Sequence, residues 1–172
     1  MNIRLLDERD AEAYRAVRLR ALKNDPDSFG SSYEEEVLRP LEKFAERLKN
    51  TAYSFSIGSF DDGGSLIGIV NFVRENRIKT AHRGNVYGMY VEPGFRGCGV
   101  GRSLLLALIE RAMEECEGLE QIHLTVESNN KPAKRLYASL GFEVYGVEPH
   151  ALKVSGHYLD ADLMVLRLGN AI

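Results

Sequence analysis

Two cysteines in 172 residues, Cys98 and Cys116, are too few for a disulfide framework and lack the spaced partners of a zinc site. Basic residues are not in excess: 22 Lys and Arg stand against 25 Asp and Glu, for a formal net charge of -3. Nucleic-acid binding usually shows as a basic surplus, so the composition gives it no support. No apolar run reaches membrane-span length, and Met1-Asn2-Ile3-Arg4 opens without a signal-peptide pattern. Internal repeats, low-complexity tracts and linkers are also missing. What remains is 44% apolar and 27% charged, ordinary for a soluble globular protein. The length fits one domain, residues 1–172, with a sizeable core, and the expected location is the cytoplasm.

The chain alternates strands and helices. Ile3, Leu5 and Leu6 suggest a short first strand. Asp7 is a plausible N-cap, with Asp10 as a weak capping-box partner, for a helix from about Glu8 to Lys23 that buries Tyr14, Val17, Ala21 and Leu22. Asn24-Asp25-Pro26-Asp27 stops it. Phe29 to Glu36 reads as a helix start with solvated carboxylates, and Pro40 opens a second helix with Leu41, Phe44, Ala45 and Leu48 inward. Tyr53, Phe55 and Ile57 mark a strand, Asp61-Asp62-Gly63-Gly64 a hairpin turn, and Leu66 to Val73 its return. Arg74 to Arg83 reads as a loop. Strands follow at Val86–Val91, Ile122–Val126, Phe142–Val147 and Tyr158–Leu168, the last two joined by a Glu148–Gly156 loop. Helices are expected at Val100–Cys116 and Asn130–Leu140.

The most informative stretch is V-E-P-G-F-R-G-C-G-V-G-R-S-L-L, Val91 to Leu105. A strand enters it, and Leu104, Leu105, Leu108, Ile109 and Ala112 leave it as one helical stripe. A glycine-rich turn that opens a helix presents unpaired first-turn N–H groups with the helix dipole behind them, which suits a phosphate. Glycine also removes the Cβ that would hold a diphosphate away from the backbone. The spacing is not a Walker loop, because Val100-Gly101 stands where Lys-Ser/Thr belongs, nor G-x-G-x-x-G, because the loop runs G-x-G-x-G. On residues alone an ordinary glycine-rich turn is the competing reading. Cys98 within it is open to reading as a reactive thiol or as a small filler.

A second string follows one strand later, N-x-x-A-x-x-L-Y-x-x-x-G-F from Asn130 to Phe142. Ala133, Leu136, Tyr137 and Leu140 share one helix face, so a packing ridge capped by Asn130 would explain them without function. Together, R-G-x-G-x-G at Arg96–Gly101 and this string closely resemble the GNAT superfamily of N-acetyltransferases. Val86 to Phe142 follows that family's order of elements, and the ends resemble it more loosely. The resemblance implies an α/β fold: a central mixed, mostly antiparallel sheet of about seven strands with splayed central strands, flanked by about four helices.

It also implies roles. Acetyl-CoA would fill a V between the central strands, its pantetheine arm on Met89, Tyr90 and Val91 and its phosphates on Arg96, Gly97, Cys98, Gly99, Val100, Gly101 and Arg102. Asn130 matches an asparagine beside the pantetheine, Lys134 or Arg135 would reach the 3′-phosphate, and Tyr137 matches the tyrosine near the thioester sulfur. Met89 or Tyr90 would offer an oxyanion N–H and Tyr137 an acid, with no metal required. The acceptor is expected to be a small primary amine ahead of a protein amine, without nucleic acid or membrane partners. Homodimers are common among such proteins. The competing classes are a non-catalytic acetyl-CoA sensor and a nucleotide-phosphate binder of another family.

The general base is not evident. Positions where other members carry a glutamate hold Thr125 and Gly84-Asn85 here. Glu34, Glu35, His82, Glu92, Glu127 and a water chain are the candidates. His150, Lys153, His157 and Asp160 on the closing hairpin read equally as acceptor contacts or as exposed loop residues.

Overall fold

Alternating and continuous apolar runs assemble into one seven-stranded sheet in the computed structural model, which describes residues 1–169. In chain order the elements are β1 (Asn2–Leu5), α1 (Ala11–Asn24), α2 (Tyr33–Glu36), α3 (Leu41–Arg47), β2 (Ser54–Phe60), β3 (Leu66–Arg74) and β4 (Arg83–Val91). They continue with α4 (Val100–Glu115), β5 (Gln121–Glu127), α5 (Lys131–Ser139), β6 (Glu143–Val154) and β7 (His157–Arg167). The strand order is β1-β2-β3-β4-β5-β7-β6. Neighbours run antiparallel except β4 and β5, which are parallel and separated by the α4 crossover. This is the mixed, mostly antiparallel sheet the resemblance implies.

Helix faces cover both sides. On one side α4 buries Leu104, Leu105, Leu108 and Ala112, and α5 buries Tyr137, against Phe55, Val70, Phe72, Val86, Ile122, Leu124 and Val126. Each such leucine contributes about 1.5–3 kcal/mol by leaving water. On the other side α1 and α3 place Tyr14, Val17, Ala21, Phe44 and Leu48 over Phe60, Leu66, Ile69 and Tyr90. Leu41 and Ala45 of α3 are only partly buried. Asp7 and Asp10 do form a capping box, but over a 3₁₀ turn at Glu8–Asp10, so α1 itself begins at Ala11.

The closing hairpin differs from the sequence reading. Residues 148–156 are not a loop: β6 runs to Val154, pairs to the tip at Val154↔His157, and turns only through Ser155-Gly156. Between Glu148 and Leu152 its register shifts, which accommodates Pro149 in a strand by leaving it outside the ladder. Edge position explains the missed length, because most of β6 is exposed and alternation has nothing to report.

Candidate active site

The parallel pair at the centre of the sheet is incomplete. β4 and β5 pair only at Arg83↔Gln121, Gly84↔Ile122 and Asn85↔His123. Beyond Asn85 the strands part, and a cleft of about 1390 Å³ opens between them. Met89, Tyr90 and Val91 line one wall; Leu124, Thr125, Val126 and Glu127 line the other, with Asn130, Ala133, Leu136 and Tyr137 from α5. With no β5 partner past Asn85, β4 presents main-chain groups on that edge to whatever enters.

At the wide end lies the turn into α4. Gly97 and Gly99 adopt φ of +76° and +83°, and no heavy atom of the described residues outside the adjoining chain lies within 4 Å of where a Cβ would project from either. Gly99 is the N-cap of a sixteen-residue helix and offers no capping side chain, so the first-turn N–H groups stay free for a ligand. Gly97, Gly99, Gly101, Arg96 and Arg102 line the cleft; Val100 is buried beneath it and Cys98 is exposed. Gly101 fits for a different reason from its neighbours: an added Cβ would meet Leu136 Cδ2 and Met89 Cε, each at 3.1 Å, across the cleft floor. The Arg96 guanidinium is already occupied. It donates to Val91 O (2.9 Å) and Asp25 Oδ2 (2.5 Å), bracing the turn against the end of α1. Arg102 donates to Ser139 Oγ at 3.1 Å.

Halfway along β4 a bulge sets Gly88 and Met89 opposite the single residue Val70, since Ile69 pairs Tyr90 and Asn71 pairs Tyr87. Gly88 has φ of +59°, and a Cβ there would lie 2.6 Å from Asn71 Nδ2. That Nδ2 donates to Tyr87 O (3.2 Å), while Asn71 Oδ1 accepts from Tyr14 Oη (3.1 Å) and Ser56 Oγ (2.6 Å). The bulge is thus clamped from β3, β2 and α1. Past it, Tyr90 sends its ring into the α1 side, where Asn24 donates to its hydroxyl at 2.9 Å, so its main chain is what faces the cleft.

On α5, Asn130 accepts from Ala133 N at 3.2 Å and so caps the helix while lining the cleft. Tyr137 is 8% exposed and packs edge-on against Phe142; burial pushes its phenol up to about 12, so it stays protonated at neutral pH. Of the two basic residues, Arg135 is on the cleft wall. Lys134 turns away, with Nζ 2.5 Å from Asp162 Oδ2 and a further bond to Ser128 O.

The candidate bases scatter. Glu35 is spent in the Ser32 capping box, and Glu92 holds Arg20 and the Tyr90 hydroxyl. Among the five, only Glu127 lines the cleft; it accepts from Asn129 N. Of the closing-hairpin residues, His150, Lys153, His157 and Asp160 lie off the cleft wall, and Glu148, Ala151 and Leu152 stand on it instead. Sequence reasoning missed His123. It lines the cleft on the same strand face as Thr125 and Glu127, within 3.3 Å of Tyr145 Oη and 3.0 Å of Gln121 Oε1. Burial, then the charges of Arg83, His82 and Arg167, lower its affinity for a proton below the ordinary histidine range. The signal was available: His123 is in period-two phase with Thr125.

A second oversight is Glu36, read as solvated. It is fully buried, receiving Arg18 Nη2 (3.1 Å) and Nε (3.3 Å) and Arg47 Nη1 (3.4 Å). Burial alone would raise its pKa, but the hydrogen bond from Arg18 and the charges of Arg18 and Arg47 hold it below the usual carboxylate value.

Residues 17–142 match the Acetyltransferase (GNAT) family. A L-methionine sulfoximine/L-methionine sulfone acetyltransferase from Pseudomonas aeruginosa is 36% identical over 109 residues, 63% of this chain and 62% of that protein. An N-alpha-acetyltransferase from Sulfurisphaera tokodaii is 31% identical over 140 residues, 75% of this chain and 78% of that one. The chain spans 40% to 62% of the length of the first curated relatives it matches. A Salmonella typhimurium structure solved with its cofactor acetyl-CoA superposes with a TM-score of 0.81 at 25% identity, covering 100% of this chain and 96% of that one.

Proposed function

The chain belongs to the GNAT family of acetyltransferases, and on that footing we propose that it transfers the acetyl group of acetyl-CoA directly to an amine, a small-molecule primary amine ahead of a protein amine. The observation that carries the reading is the parting of β4 and β5 after three paired positions, beside an uncapped, glycine-led helix N-terminus. A narrow thiol-ended arm with a diphosphate needs those two features together: free strand edge for the arm and free N–H groups for the anion. The open Cβ positions at Gly97 and Gly99 fit the diphosphate; Asn130 and Arg135 stand along the rest of the wall.

Bound acetyl-CoA supplies an activated acyl group as a thioester. The residues of this chain supply position and proton traffic. Main-chain N–H at Met89 or Tyr90, fixed by the clamped bulge, would face the acyl oxygen as negative charge develops there. Tyr137 holds a proton at its phenol beside the sulfur end of the cleft and would donate it to the departing thiolate. The incoming amine must first lose a proton, because an alkylammonium has a pKa of about 10. His123, neutral and paired with Tyr145, and Glu127 stand on the face from which the acceptor enters; His123 is the preferred proton acceptor. A cytoplasmic setting without nucleic acid or membrane partners belongs to this proposal, and light scattering answers whether two chains pair.

The test is free-thiol release from acetyl-CoA across a panel of small amines and peptide N-termini, with CoA binding measured by calorimetry. Turnover on small amines supports the reading. Tight CoA binding without turnover on any acceptor would favour a sensor, and stronger stabilisation by ATP or NAD than by CoA would favour a nucleotide-phosphate binder.

A further inference from the structure

Arg18 is a charged side chain without enough partners. It is 7% exposed, and its Nε and Nη2 are used by Glu36, yet among the described residues Nη1 is buried and has no hydrogen-bond partner. A buried donor on a cation left unpaired is costly, and native sites seldom keep one without a use. The one carboxylate it meets is shared: Glu36 also receives the half-exposed Arg47.

The position is specific. Arg18 lines the cleft, and its Nη1 lies 3.6 Å from where a Cβ at Gly88 would project, at the bulge that would face the acyl group. Asn71, a neighbouring polar group, already bonds Tyr14, Ser56 and Tyr87. Phe29, from the loop after α1, lies over the guanidinium with its ring centre 4.8 Å away and covers one of its faces. Acidic groups on the wall, Asp27, Glu127 and Glu148, lie elsewhere around the cleft and suit the cationic end of an acceptor.

We propose that Arg18 is an acceptor-specificity residue: the amine that this enzyme acetylates carries a carboxylate a few bonds from its nitrogen, and Nη1 of Arg18 binds that carboxylate beneath the β4 bulge. The proposal rests on the acetyl-transfer reading and narrows its substrate class to short amino acids. A short spacing follows from geometry, because Nη1 lies only 3.6 Å from where a Cβ at Gly88 would project, and long spacers would carry the amine past the acyl group.

The experiment compares matched pairs, each α- or β-amino acid against its own carboxamide, by thiol release at saturating acetyl-CoA. Wild type is expected to favour the acid in kcat/KM on the order of 10- to 100-fold, the value of one hydrogen bond to a charged group. The double variant Arg18→Met/Glu36→Gln removes the anchor without stranding a buried carboxylate, and the preference should vanish. Should that variant not fold, wild type still decides: simple short carboxylates should compete with the amino acid and not with acetyl-CoA. Equal use of acids and carboxamides by wild type, an unchanged preference in the double variant, or no competition by carboxylates overturns the proposal. An equal loss on acids and carboxamides in the variant also overturns it, by assigning Arg18 to the acyl oxygen instead. CoA binding with no turnover on any amine defeats the transfer reading itself, and this proposal with it.

Discussion

Gly88→Ala tests whether the β4 bulge is catalytic geometry or only a local irregularity. The new Cβ has two problems. Its backbone sits at φ +59°, which costs an L-residue about 1–2 kcal/mol. It would also lie 2.6 Å from Asn71 Nδ2, the atom that donates to Tyr87 O. Asn71 cannot swing aside cheaply, because its Oδ1 receives Tyr14 and Ser56; each bond lost costs about 1 kcal/mol. The total is about 2–4 kcal/mol, which a chain with this much buried core survives. Relief comes most easily by flattening the bulge, which re-aims the N–H groups of Met89 and Tyr90. Losing one aligned donor lowers turnover by about 10²–10³. The phosphate turn is untouched, so CoA affinity should change little. Thiol release, CoA calorimetry and a thermal melt on the same preparation separate these effects. A folded Gly88→Ala protein with near-wild-type kcat would refute the bulge as the source of the donor.

Gly101→Val should block the cleft floor between Met89 and Leu136 and abolish most CoA binding in calorimetry, whereas unchanged affinity would move the arm elsewhere. Tyr137→Phe should keep CoA affinity and lower kcat by about 10²-fold or more, read by thiol release. Tyr137 has a folded pKa raised from 10.0 to about 12, so its neutral form supports stability fully below pH 10 and that support, about 3 kcal/mol, is lost as pH rises to 12; the Phe variant should lack this alkaline loss in denaturant titrations. Glu36→Gln strands the Arg18 charge and should cost about 3–5 kcal/mol by chemical denaturation. Because the Glu36 pKa is lowered from 4.5, its contribution is present above that pH and lost as pH falls below it, so the Gln variant should show a smaller acid-side decline. Finally, His123→Gln should remove an acid limb lying below pH 6.5 from the kcat/KM profile, and an unaltered limb would return the proton to Glu127 or to water.

Local order explains how much of this was readable. The turn from Val91 to Leu105 announces itself because strand period, glycine spacing and helical stripe all change within fifteen residues, and each is set by neighbours in sequence. The same holds for the Asp61–Gly64 hairpin and for α1. Where an element is defined by a distant partner the signal fails. Arg83 to Asn85 carries no strand alternation, yet it is β4, held by β3 on one side and by β5 on the other. Residues 148–154 read as loop for the same reason: their strand character comes from β7, and their faces meet solvent.

The site divides along the same line, and the division has a physical basis. The proposed cofactor contacts rest on main chain, which short motifs specify, so Gly97, Gly99, Gly101 and Asn130 could be named as candidates from sequence. The position of Lys134 depends on Asp162, on β7, which no local motif announces. The side chains proposed to meet the acceptor are gathered from α1, β3, β5 and β6, and no motif links Arg18, Asn71, His123 and Tyr145. Their coupling runs through packing. The run Glu34-Glu35-Glu36 reads as one more solvated face. That is right for an isolated helix and wrong once α1 and α2 close on each other, because buried Glu36 and Arg18 are tolerable only together. In this proposal the chemistry of transfer is therefore written locally, while the choice of amine is written in tertiary contacts.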